Sequence, residues 1–270
     1  MLEDEALLPY RVDLPPGGDE MLDRLVELGA LDVEWQGQGV AALLPDRVTP
    51  AQLASAFSLE EIPVSPAVGR DDGSVWVLSQ RPIAIGRLRI VPSTHAPAPD
   101  TIRLIDAPAF GTGLHPTTAL CLEALQAILD GDPHDSVLDV GTGSGVLALA
   151  ALTLGVPRAT AIDIDADALR VTAENAALND LASRLTLAAG GPETVTGRWP
   201  LVLANVLAAP LIEMGPALTR CVGHRGRLVL SGIPSSVEPD VDRVYRHLGM
   251  RRIEATCRAG WVAIVMQASW

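Results

Sequence analysis

Apolar and polar positions along this 270-residue chain change their period near residue 100. Before that point the elements are short. Residues 6–14 read as a strand closed by Pro15-Pro16-Gly17-Gly18. Asp19 fits the N-cap of a helix running to Leu28, with Gly29 as its stop. Met21, Leu22, Leu25, Val26 and Leu28 would give that helix one apolar face. Strands near 31–35 and 40–44 follow, then a helix from Thr49-Pro50 to Phe57, then a strand at 62–64. The order βαββαβ fits a small α+β domain with a ferredoxin-like fold over residues 1–66. Residues 67–100 read as a connector. It holds strand candidates at 75–78 and 87–91 and a proline-rich exit through Pro92, Pro97 and Pro99.

From residue 101 to 270 the pattern is an alternating α/β one. Strands are expected at 137–140, 159–162, 184–187, 201–204 and 227–230. Helices are expected at 116–129, 145–154, 166–178, 209–221 and 237–248. Several of the strands carry apolar residues on both faces, as in a parallel sheet covered by helices. Residues 251–256 and 261–266 read as a closing hairpin about Ala259-Gly260. The large domain is therefore expected to be a doubly wound, Rossmann-like α/β sheet with an antiparallel strand at its end.

Composition narrows the function. Hydrophobic residues make up 48% but aromatics only 3%, so the core must rest on Ala, Leu, Val and Ile. The net charge of -13 disfavours a bare nucleic-acid-binding module. Residues 1–70 hold 13 acidic and 4 basic residues, a net of -9, against -4 for the rest, which suggests two domains with different tasks. Every basic residue is arginine, and asparagine occurs only at positions 175, 179 and 205; a GC-rich coding bias accounts for both. Cys121, Cys221 and Cys257 are odd in number and far apart, so neither a disulfide framework nor a metal site is expected. Met1-Leu-Glu-Asp-Glu lacks the basic and apolar regions of a secretory leader. The longest apolar stretch, 146–156, is too short for a bilayer. A soluble cytoplasmic protein is the expectation, and a single sequence fixes no oligomeric state.

The chemistry concentrates at strand ends. Val137-Leu-Asp139-Val-Gly141-Thr-Gly143-Ser-Gly145 is a strand running through a glycine turn into a helix. Glycines there permit unusual dihedrals and let a ligand approach the backbone. A dinucleotide fingerprint wants glycines at offsets 0, 2 and 5. Here Val146 occupies the last of these, and the G-x-G-x-G form with a preceding acid is the pattern of S-adenosylmethionine (SAM) binders. Asp163 ends the second strand 22 residues after Gly141, where a carboxylate can accept from both ribose hydroxyls. Asp165 fits the N-cap of the next helix. Asn205 closes the fourth strand at the sheet edge where open α/β proteins bind ligands. The loop Ala109-Phe110-Gly-Thr-Gly-Leu-His115-Pro-Thr117-Thr118 offers hydroxyls for a carboxylate and a ring to cover an adenine or methionine chain. His115, like most loop histidines, reads as structural rather than as a base.

Phe110-Gly-Thr-Gly-Leu-His-Pro-Thr-Thr118, the glycine turn, Asp163-Ile-Asp165, Asn205-Val-Leu-Ala-Ala-Pro-Leu211 and Leu230-Ser-Gly-Ile233 together closely resemble the PrmA family. Its members methylate the eleventh protein of the large ribosomal subunit. The resemblance is strong over roughly 101–255; residues 1–70 match mainly in layout. It implies a class I SAM-dependent protein N-methyltransferase acting on lysine side-chain and N-terminal amines, with a small N-terminal domain that recognises the basic substrate protein. By motif, cofactor contacts fall on Thr118, Gly141, Asp163 and Asn205, with Phe110, Thr117, Asp139 and Gly143 beside them. Asn205 would also orient the amine. No direct nucleic-acid contact and no membrane association are implied. Other readings stay open at the level of residues: a methyltransferase of another protein or small molecule, or a SAM-binding regulatory or assembly protein without turnover. A nucleic-acid adenine methylase is disfavoured because the fourth strand lacks the N-P-P-[YF] run that stacks a flipped base.

Overall fold

A computed structural model describes all residues except 1–9, 16–20, 22, 23, 26, 31, 37, 38, 46, 47, 67–81, 106–114 and 259. The Asp19 cap, the strand expected at 75–78 and Phe110 lie outside the described residues. The chain divides into two compact units, Met1–Arg81 and Pro82–Trp270.

In the first unit the strands are β1 (Tyr10–Leu14), β2 (Asp32–Gln36), β3 (Gly39–Leu44) and β4 (Val64–Pro66). They form an antiparallel sheet in the order β2-β3-β1-β4. Met21, Arg24, Leu25 and Glu27 are helical. Helix α1 (Pro50–Phe57) starts at a capping box: Thr49 Oγ1 accepts from the Gln52 N–H, and Gln52 Oε1 accepts from the Thr49 N–H. Leu25 and Leu53 are fully buried with Val12, Leu14, Val40 and Leu44, so helix and sheet share one apolar interior. This is the βαββαβ arrangement of a ferredoxin-like fold.

The second unit begins earlier than the sequence suggests. Strands β5 (Ile83–Ile85), β6 (Leu88–Pro92) and β7 (Thr101–Leu104) form a separate three-stranded sheet. Leu88, Ile90, Ile102 and Leu104 are buried in the same core as Leu122 and Leu125. The expected connector 67–100 is thus folded from Pro82 onward. Its register depends on a distant side chain, which no local pattern reveals. The buried Gln126 amide accepts from the Arg87 N–H and donates to the Ile85 carbonyl, holding the turn between β5 and β6.

The main sheet has seven strands: β8 (Ser136–Val140), β9 (Arg158–Asp163), β10 (Leu185–Ala189), β11 (Trp199–Asn205), β12 (Val222–Pro234), β13 (Met250–Arg258) and β14 (Trp261–Ala268). Their order is β10-β9-β8-β11-β12-β14-β13. The first five are mutually parallel, and β14 runs antiparallel to both β12 and β13. The reversed strand is therefore last in sequence but next to last in the sheet, because the closing hairpin folds back between β12 and its own first strand. Helices α2 (Pro116–Gly131), α3 (Val146–Thr153), α4 (Ala166–Leu178), α5 (Ala208–Arg220) and α6 (Glu238–His247) cover it. Strand period decides which face each residue serves. Leu201 and Leu203 join one core with Leu122 and Leu149, while Val202 and Ala204 join the other with Leu211 and Tyr245.

Candidate active site

The sheet order reverses between β8 and β11, and a crevice opens at their carboxyl ends, the usual ligand position in such sheets. A cavity of about 320 Å³ lies there, lined by Thr118, Gly141, Gly143, Asp163, Asn205 and Val206 among others. That volume suits a small organic ligand.

The glycine turn forms the floor. Gly141, Gly143 and Gly145 all have positive φ (71°, 56° and 83°). A Cβ on Gly141 would lie 2.8 Å from Val206 Cγ2, and one on Gly145 would lie 2.8 Å from Thr172 Cγ2. Backbone dihedral and close approach both require glycine at these two positions. Gly145 is also the N-cap of α3 and has no side chain to offer that helix end; Ser144 Oγ accepts from the Val146 N–H (3.3 Å) instead.

Asp139 works from behind this turn. Its side chain is fully buried, and Oδ2 accepts from Thr142 Oγ1 (2.7 Å) and the Ala148 N–H (3.1 Å). It thereby ties the turn to the first coil of α3. Oδ1 has no partner, and burial pushes the carboxyl up to about 6 against the pull of those two hydrogen bonds.

Asp163 meets the turn from the other side. Oδ2 accepts from the Gly143 N–H and Oδ1 from the Asp165 N–H, each at 3.0 Å. A carboxylate offers about four lone-pair sites, so both oxygens can accept further donors. Asp165 caps α4 as expected, accepting from the Asp167 N–H.

Asn205 ends β11 directly across from the glycine turn. Its Nδ2 donates to Thr118 Oγ1 (3.2 Å), while its Oδ1 is shielded from water and has no hydrogen-bond partner. Thr118 is fully buried near the start of α2. His115 is the N-cap of that helix: Nδ1 accepts from the Thr117 N–H and pairs with Thr117 Oγ1 (2.8 Å). Its ring packs edge-on against Trp261 with centroids 5.0 Å apart. Burial lowers its pKa to about 4, so near neutral pH the imidazole is uncharged and suited to accept in a cap.

A polar stripe on α4 holds the loops together. Thr172 Oγ1 donates to the Gly143 carbonyl (3.0 Å). Asn175, fully buried, donates to the Ser144 carbonyl and accepts from the Ile105 N–H, both at 2.8 Å. Asn179 donates to the Arg103 carbonyl (2.7 Å) and accepts from the Arg103 N–H (2.8 Å). The end of β7 and the glycine turn are thus bonded to one helix face. All three asparagines of this asparagine-poor chain serve this one region.

The structure brings Thr118, Gly141, Gly143, Asp163 and Asn205 around one cavity. Asp139 and Thr117 do not line it; they act on its walls through Thr142, Ala148 and His115. Ile164, Gly190-Gly191-Pro192, Val206, Pro210 and Met214 line it too and were missed. A Gly-Gly-Pro run right after β10 was a readable signal, because it stands at the same edge of the sheet as the other strand ends. Among the described residues no group of His, Cys, Asp and Glu is placed to hold a metal ion.

The family model of the ribosomal protein L11 methyltransferase (PrmA) matches residues 39–269. The chain belongs to this family. A ribosomal protein L11 methyltransferase of Myxococcus xanthus is 38% identical over 97% of this chain and 99% of that one. The protein of that name from Nitrosomonas europaea is 37% identical, covering 100% of this chain and 92% of its own. The crystal structure of the ribosomal protein L11 methylase from Lactobacillus delbrueckii subsp. bulgaricus covers 70% of this chain and all of its own, with 29% identity and a TM-score of 0.64. The seven-stranded sheet with β14 reversed is accordingly a class I methyltransferase sheet, and the family membership extends into the first unit as far as residue 39. No helix of the described residues is long and apolar enough to cross a membrane.

Proposed function

We propose that this protein is a SAM-dependent N-methyltransferase of the eleventh large-subunit ribosomal protein, acting on lysine side-chain and N-terminal amines in the cytoplasm. The observation that carries the reading is the unpartnered Asn205 Oδ1 in the wall of a cavity floored by the glycine turn. The residues fit the cofactor. Gly141 and Gly143 admit a ligand against the backbone, Asp163 has accepting capacity left for vicinal hydroxyls, and Thr118 lines the same space. Phe110 and Thr117 belong to the same motif, Phe110 as a cover and Thr117 through the His115 cap.

When bound, SAM supplies a methyl group on a sulfonium for transfer to a neutral amine. A free lysine is protonated at neutral pH, with a pKa of about 10.4. The apolar walls built by Val140, Val146, Leu147, Val206 and Met214 disfavour the charged ammonium, which favours release of its proton to water. Asn205 Oδ1 then accepts from a remaining N–H and orients the nitrogen lone pair. Holding the amine in this way supplies the alignment on which a direct displacement depends.

Asn205→Ala is expected to lose far more methyl transfer than affinity for S-adenosylhomocysteine, measured with labelled SAM and by calorimetry. Equal loss of both would remove the assignment. The net charge of -9 over residues 1–70 supports a substrate-recognising role for the small domain, because ribosomal proteins are basic and opposite charge speeds encounter. Capture of the substrate protein should slow as salt is raised; salt-independent capture would count against that role.

A further inference from the structure

A primary amide is nearly symmetrical in shape but not in function: one end accepts, the other donates. If Asn205 were flipped, it would present N–H groups to an incoming amine, itself a donor. Something must settle which end faces the cavity. Among the described residues the partner of the side chain is Thr118 Oγ1, which accepts from Nδ2 at 3.2 Å. A hydroxyl can also donate, so this contact alone would tolerate the flipped amide. Thr118, however, also lines the cavity. A hydroxyl has one proton. When that proton is given to an acceptor in the cavity, only a lone pair remains for Asn205, and the amide must donate.

We propose that Thr118 is a positioning residue that relays cofactor occupancy to Asn205. Its hydroxyl donates to an acceptor-only group of the bound cofactor, such as a carboxylate, and so obliges Asn205 to turn Oδ1 toward the amine. The inference rests on the reading of Asn205 given above. It adds that the amide is oriented only while the cofactor is seated, so that the site is competent for the amine in the right order. Burial makes the relay effective. Thr118 is fully buried and Asn205 Oδ1 is shielded, so water does not compete freely for either bond.

The test is a double-mutant cycle with Thr118→Val, which keeps the shape and removes the hydroxyl, and Asn205→Ala. Thr118→Ser serves as the rescue. Methyl transfer to the substrate protein and S-adenosylhomocysteine binding by calorimetry are both read. Thr118→Val should lower kcat about 10-fold, while Thr118→Ser keeps it within about 3-fold of the parent. In the Asn205→Ala background Thr118→Val should cost less than about 3-fold more, because the group it orients is gone. Binding of S-adenosylhomocysteine should weaken by less than kcat falls. Two results would overturn the proposal: the same loss of kcat in both backgrounds, or an affinity loss that accounts for all of it. Unchanged kcat in Asn205→Ala alone would instead overturn the reading of Asn205, and needs no Thr118 variant to be seen.

Discussion

Asp139 lets the electrostatics of the site be tested without any ligand. Its carboxyl is fully buried, one oxygen has no partner, and its folded pKa is raised from 3.8 to about 6. A raised carboxyl pKa means that the folded chain holds its proton more tightly than the unfolded chain. The stabilising contribution is therefore present in full below the unfolded pKa and is lost as pH rises through about 6. At pH 5, one unit below the folded value, linkage makes it about 1.4 kcal/mol relative to pH 8. Asp139→Asn cannot titrate and lacks this term. Other carboxylates act in both proteins, so the difference between them isolates Asp139. In scanning calorimetry of the larger unit, the parent should gain about 3–6 °C on the variant as pH is lowered from 8 to 5. Parallel profiles over that range would refute the argument that an uncompensated buried charge sits behind the glycine turn.

Two further outcomes follow from the same geometry. Asn175→Leu fills the space but removes the hydrogen bonds to the Ser144 carbonyl and from the Ile105 N–H, each worth about 0.5–1.5 kcal/mol net, so urea unfolding should show a loss of about 1–3 kcal/mol. A loss under about 1 kcal/mol would show that these bonds are replaced by water. Leu207 is 63% exposed at the N-cap of α5 and makes no cap hydrogen bond. Leu207→Asp should therefore raise stability by about 1 kcal/mol, seen as about 2–4 °C in melting temperature, with a fall in melting temperature as the contrary result.

Much of this protein was legible along the chain because its determinants are local. Period and caps placed α4 at 166–178 without error, and Thr49-Pro50 and Asp165 stand where helix starts were read. The three glycines of the turn were legible because their positive φ excludes other residues. Asp163 and Asn205 were legible because each closes an apolar strand. What could not be read was pairing and side-chain partnership. Residues 67–100 read as a connector in which the strand at 87–91 was legible, but its short neighbours Ile83–Ile85 and Thr101–Leu104 were not, since strands of three or four residues have little periodicity of their own. Gln126, Asn175 and Asn179, each remote in sequence, supply the bonds that fix them. Asp139 and Thr117 carry the right chemistry but turn toward Thr142, Ala148 and His115 rather than the cavity.

The sequence by itself determined which of the longer segments are strand, helix or glycine turn, and which polar residues stand at the ends of those strands. Those are set by dihedral preference and by the spacing of apolar side chains. Only the tertiary structure decided that the Thr118 hydroxyl meets the Asn205 amide, 87 residues apart, and that Oδ1 is the end left over. A hydrogen bond is directional and falls off within an ångström, so its partner depends on how two packed elements are registered. That register is a property of the whole core.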